Sequence, residues 1–196
     1  MVTIDEVRDR LVRYEPVLAG ADGLGQGAVA VLLREGAAGA EVLLIERSEH
    51  DGDPWSGHIA FPGGRVEQGD PSPRKAAERE TLEETGFDLR EAEYLGRLDD
   101  VRGRTVGIRV SAFVYHAARA WSPVPNHEVA DLFWVPLTRL TSPERHVVRT
   151  FRFREREADL PAVDILGPGR PVLWGLTYRL LQSLIRIVGN SDLRLP

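Results

Sequence analysis

The sequence predicts an α/β domain, an αβα sandwich with a mixed β-sheet between helices, on three observations. Ala28 to Glu35 and Glu41 to Ser48 are apolar runs that face each other across the turn sequence GAAGA, which is the pattern of a buried hairpin. A single charged helix interrupts the strand runs instead of following every strand, which excludes a strict βαβα alternation and with it a doubly wound or barrel fold. The chain closes on LWGLTYRLLQSLIRIVG, where Leu176, Leu180, Leu184 and Val188 fall on one helical face.

The elements follow in order. Thr3 with Glu6 reads as a capping box opening a helix to about Tyr14, with Ile4, Val7, Leu11 and Val12 at helical spacing. Val17 to Gly27 reads as a loop. After the hairpin, Glu49 to His58 is loop by its Gly and Pro content, and IAFPGG is a short strand stopped at Pro62-Gly63-Gly64. Ser72 is an N-cap, Pro73 suits the first helical position and Gly86 is a C-cap, so a helix spans Pro73 to Thr85. Tyr94 to Val101, Ile108 to Ala117 and Asp131 to Leu137 are strands. Thr138 to Leu140 is a helical turn, Val148 to Phe153 with the ADLPAVDIL segment is a hairpin, and Leu173 to Gly189 is the last helix. Trp134 and Trp174 are expected in the core.

Composition narrows the function. The 196 residues are 42% hydrophobic, enough for one domain over residues 1–196. A formal net charge of -5 argues against a nucleic-acid polymer or an acidic membrane as partner. With Cys 0 there is no disulfide, thiolate ligand or cysteine nucleophile. The charged start MVTIDEVRDRLVRYEP and the absence of a long apolar run predict no secretion signal and no spanning helix, hence a cytoplasmic protein.

The chemistry concentrates in FPGGRVEQGDPSPRKAAERETLEETGF, Phe61 to Phe87. Glu80, Glu83 and Glu84 stand at i, i+3 and i+4, on one face of a helix. Like charges so placed repel one another, and are either solvated or gathered around a hard cation such as Mg²⁺ or Mn²⁺. The double glycine allows a close backbone approach to a ligand.

Gly64, Asp70, Arg79-Glu80, Glu83-Glu84 and Gly86-Phe87 resemble the Nudix box, the loop-helix-loop signature of Nudix hydrolases, over residues 64–87. The chain departs from the usual pattern in three ways: an Asp at position 70, eight residues between it and Arg79, and Thr81 where an aliphatic residue is usual. The upstream run LLIERSEHDGDPWSGHIAFPGG, with NHEVADLFWVPL and LWGLTYRLL, is most similar to the coenzyme A diphosphatase branch. The basic residue which that branch places before Gly57 is absent here.

The resemblance implies hydrolysis of a diphosphate linkage in a nucleoside diphosphate derivative, a coenzyme A-like substrate being favoured. ADP-ribose, another nucleotide sugar or a dinucleotide is the alternative, as is a non-catalytic nucleotide-binding domain. It implies Mg²⁺ or Mn²⁺ held by Glu80, Glu83 and Glu84, with Arg79 orienting a carboxylate and Glu128 or Glu83 as base. Substrate contacts would come from Arg47, Gly63, Gly64, Arg102 and Arg104, with stacking by Trp55 or an aromatic such as Tyr115. A small-molecule partner and a homodimer are expected by the same analogy. His58 is expected to make a structural hydrogen bond.

Overall fold

The computed structural model describes residues 1–20, 23–49, 56–103, 107–153 and 156–189. Its elements are α1 (Ile4–Val12), β1 (Gly25–Gly36), β2 (Gly39–Arg47), β3 (Ile59–Ala60), β4 (Gly63–Arg65), α2 (Pro73–Thr85), β5 (Glu93–Arg97), β6 (Val101–Arg102), β7 (Ile108–His116), β8 (Val129–Pro136), α3 (Leu137–Leu140), β9 (His146–Phe153), β10 (Arg156–Val163), β11 (Leu173–Trp174) and α4 (Gly175–Val188). The main sheet runs β3-β2-β1-β7-β5, with β4 also on β1, β6 on β7 and β8 on β2; β9, β10 and β11 form a second, antiparallel sheet. The main sheet is mixed because β1 and β7 are parallel, from Gly25 opposite Ile108 to Leu33 opposite His116.

Both faces of β1 are covered, which its near-continuous apolar run requires. Val31 and Leu33 join α1 and α4 residues such as Val7, Leu11, Leu181 and Leu184 in one core. Ala28, Ala30 and Leu32 face the other way, onto Ala76 and Ala77 of α2 and onto Phe87. The layered sandwich is the predicted one, with α2 on one face and α1 and α4 on the other.

The capping box of α1 forms, Glu6 bonding the Thr3 N–H at 2.9 Å. Helix α2 starts on the Ser72 hydroxyl, which accepts from the Lys75 N–H at 3.3 Å, and ends at Gly86, whose φ of 74° is the left-handed C-cap. Thr81 and Thr85 are fully buried, yet their hydroxyls donate to the carbonyls one turn back, Ala77 at 2.7 Å and Thr81 at 2.6 Å. That bond is what lets a threonine occupy the position where an aliphatic side chain is usual.

Several boundaries differ from the sequence reading. Gly25 to Gly27 is strand and not loop, because β7 pairs with it on one side and Gly64-Arg65 on the other. Gly63 and Gly64 likewise form a strand, not a turn. Tyr94 to Val101 is divided into β5 and β6, and Leu173–Trp174 is a strand pairing with Ala162–Val163 before the last helix begins. Trp134 and Trp174 are half-buried: the Arg34 guanidinium covers Trp134 at 4.4 Å, and Phe151 covers Trp174. Among the described residues no helix is long and apolar enough to cross a membrane.

Candidate active site

The site begins where β4 lies between β1 and α2. The Gly63 N–H donates to Glu84 Oε2 at 2.7 Å, and a Cβ on Gly63 would come within 2.3 Å of the Ala28 carbonyl oxygen. One residue on, a Cβ on Gly64 would stand 2.5 Å from the carboxylate carbon of Glu80. Gly63 therefore lets β4 lie against β1, and Gly64 lets the Glu80 carboxylate close against the strand. The Gly63 N–H, expected beside substrate, is committed to Glu84.

The three box glutamates share a helical face but not an environment. The Glu84 side chain is 2% exposed and the Glu83 side chain 53%. Burial raises the Glu84 carboxyl to about 8, partly offset by the Gly63 N–H and by Arg47, whose Nη1 lies 3.7 Å from Oε1; the charges of Glu80 and Glu128 push it further up. Glu80 is also raised, chiefly by burial, with Arg79 opposing and Glu83 and Glu128 adding to the rise.

Glu128 belongs to this group through the loop before β8. The Val124 and Asn126 N–H groups donate to the carbonyls of Thr85 and Glu84 at 2.9 and 3.2 Å, and the Ser48 N–H to the Glu128 carbonyl at 2.8 Å. Asn126 Oδ1 then accepts from the Glu128 N–H at 2.9 Å, closing an Asx turn.

Arg79 organises the rim. Its guanidinium donates to both oxygens of Asp70 at 3.1 and 3.0 Å, to Glu83 at 3.2 Å and to the Arg65 carbonyl at 3.3 Å, and pairs with Glu80 at 3.1 Å. Its hydrogen bonds hold the Asp70 carboxyl below the usual carboxylate range. The shorter acid and the extra residue before Arg79 thus still deliver a forked bond. Replacing Arg79 by Ala is expected to lower stability by about 2 kcal/mol in urea denaturation, and Arg79→Lys to recover less than half of it, because an ammonium cannot make the fork.

The donor set suits a hard divalent cation: carboxylates only, with the charge of Glu128 pushing up the carboxyls of both Glu80 and Glu84 and that of Glu80 pushing up Glu84. Among the described residues no group of three or more acidic or histidine side chains is arranged as a metal cage, since Glu84 is turned to Gly63 and Glu80 to Arg79.

The other predicted residues divide. Arg102 is exposed on β6, and Trp55 and Arg104 lie outside the described residues. Tyr115 is no stacking surface: it is fully buried beneath α2, its hydroxyl bonded to Arg74 and Glu78. The His58 carbonyl accepts from the Arg47 N–H at 3.0 Å, a bond of its backbone and not of its imidazole, and its ring meets Trp174 edge to face.

The NUDIX domain family model matches residues 24–156, a span that holds the glycine pair, α2 and Glu128. The chain belongs to the Nudix hydrolase family. It is similar to a Nudix hydrolase of the NudL type from Enterobacter sp., 31% identical over 96% of both chains, and to a probable nudix hydrolase of Schizosaccharomyces pombe, 33% identical over 76% of this chain. The chain spans about half the length of that yeast relative, 51%. A crystal structure of a MutT/nudix family protein from Enterococcus faecalis shares the Nudix fold, with a TM-score of 0.56 at 19% identity over 96% of this chain and 75% of that one.

Proposed function

We propose that this Nudix protein hydrolyses a diphosphate linkage in a nucleoside diphosphate derivative, coenzyme A-like compounds being the favoured substrates. The observation that carries the reading is the buried carboxylate of Glu84, packed against the glycine strand with Glu80 and Glu128 near enough to raise its pKa. The ionised form of a group so buried is disfavoured until a cation joins it. Glu80, Glu84 and Glu128 would hold Mg²⁺ or Mn²⁺, with Glu83 available from the rim. When bound, such an ion neutralises the diphosphate and lowers the pKa of the attacking water.

The chain's own residues divide the remaining work. Hydrolysis forms one P–O bond from water and breaks the bridging P–O bond, and the water's proton passes to a carboxylate, for which Glu128 and the exposed Glu83 are the candidates. Arg79 keeps Glu80 and Glu83 oriented. Arg47, Arg102, Arg104 and Trp55 are the proposed contacts for phosphate and for the group beyond it. The runs LLIERS, FPGG, NHEVADLFW and LWGLTYRLL support the coenzyme A preference. A single domain over residues 1–196, a homodimer and a cytoplasmic setting complete the proposal.

The test is incubation of the full chain with Mg²⁺ or Mn²⁺ and coenzyme A, acyl-coenzyme A, ADP-ribose, NADH, dinucleoside polyphosphates and nucleoside triphosphates, products being read by mass spectrometry. Metal-dependent release of 3′,5′-ADP and phosphopantetheine from coenzyme A is expected. Cleavage of ADP-ribose alone would overturn the substrate preference, and no cleavage of any compound would overturn the activity.

A further inference from the structure

The family match ends at residue 156, and the chain beyond it is fastened to the rim of the site. Arg170, between β10 and β11, donates to Glu46 at 2.7 Å and lies 3.6 Å from Asp131; Glu46 precedes Arg47 on β2, and Asp131 is on β8, three residues after Glu128. Arg179 of α4 donates to the Arg102 carbonyl on β6. Between these fastenings Trp174 meets His58 edge to face, ring centroids 4.9 Å apart at 72°, while Phe151 stacks on the indole at 3.7 Å and 17°.

His58 is well placed to pass on that contact. Its carbonyl holds the Arg47 N–H, and the chain runs from it through β3, whose Ile59 and Ala60 pair with Glu46 and Ile45, directly into Gly63. The Arg47 side chain and the Gly63 N–H both face Glu84. Trp174 is half-buried and Phe151 is on a surface hairpin, so the stack removes less apolar surface from water than a core ring would. Stacked and edge-to-face aromatic pairs have preferred geometries, so the cluster fixes the orientation of the His58 ring against Trp174.

We propose that Trp174 is a positioning residue for the diphosphate site, acting through His58 on the backbone of Arg47 and of Gly63-Gly64. This rests on the reading of that backbone as the frame of the carboxylates that act on substrate. A part of the chain outside the family match would thereby set the geometry inside it.

The experiment compares Trp174→Leu, Trp174→Phe and His58→Leu in the full chain. Backbone amide shifts are recorded by ¹⁵N NMR without ligand, and KM and kcat with coenzyme A and Mg²⁺. Trp174→Leu is expected to shift the amides of Arg47, Gly63 and Gly64 and to raise KM about tenfold with kcat changed less than threefold. His58→Leu should shift the same amides, and Trp174→Phe should restore both readouts to within twofold of wild type. Shifts confined to β9, β10, β11 and α4, with KM unchanged, would overturn the proposal, as would Trp174→Phe proving as defective as Trp174→Leu. The amide readout needs no substrate, so a chain that cleaved no diphosphate would refute the activity while the amides still decided the positioning role.

Discussion

Glu84→Gln is expected to lower kcat/KM about 10³-fold and, in the metal-free protein, to raise the melting temperature at pH 8. The two effects share a cause. Glu84 is 2% exposed, and burial lifts its carboxyl from the ordinary 4.5 to about 8. A carboxyl raised in the folded state stabilises the fold fully below the unfolded value, and that contribution is lost as pH rises through the folded one. Metal-free protein should therefore lose stability between about pH 4.5 and pH 8. Glutamine is neutral throughout and still offers an oxygen to the Gly63 N–H, so the variant should show a flatter pH profile. A divalent cation, by binding the ionised form, should stabilise wild type more at pH 8 than at pH 5, and the variant little at either. Melting curves at the two pH values, with and without Mg²⁺, check this. A variant with the wild-type profile would show that Glu84 is not held as described.

Gly63→Ala should be among the most destabilising single changes in the chain, about 3 kcal/mol or more by urea denaturation. Gly63 has φ of 144°, and an added Cβ would meet the Ala28 carbonyl oxygen at 2.3 Å and the Val29 Cα at 2.5 Å. Both obstacles are backbone of the central strand and cannot turn aside. Gly64→Ala makes the informative contrast. The nearest atoms to its Cβ would be the end of the Glu80 side chain, at 2.5 Å, and that can rotate away. The expected cost is about 1 kcal/mol of stability with a disproportionate loss of activity, because Glu80 is driven from the strand. Equal destabilisation by the two substitutions would contradict the packing.

Local chemistry made some of this legible in advance. Ser72, Pro73 and Gly86 fix both ends of α2, since capping depends on residues within a turn of the boundary. The box spacing placed Glu80, Glu83 and Glu84 on one face. It could not tell which of them meets β4, because helical periodicity carries no reference to the sheet, and there Glu84 is sealed while Glu83 stays in solvent. Gly63-Gly64 read as a turn because glycine usually marks one; the pairing that makes it a strand comes from Ala28 and Val29, far away in sequence. Glu128 was nominated from resemblance, but its link to the helix runs through Val124 and Asn126 bonding to the end of α2, which no local pattern records. The contact of Trp174 with His58 is non-local in the same way, and tryptophan's bulk suggested core where the fold leaves it half-exposed.

The proposal that Glu80, Glu84 and Glu128 act as one cation-holding group is tested most directly by Mn²⁺ binding to the full chain, followed by electron paramagnetic resonance at pH 8. Saturable binding is predicted, weakened at least tenfold by each of Glu80→Gln, Glu84→Gln and Glu128→Gln. Wild-type affinity in all three variants would contradict it.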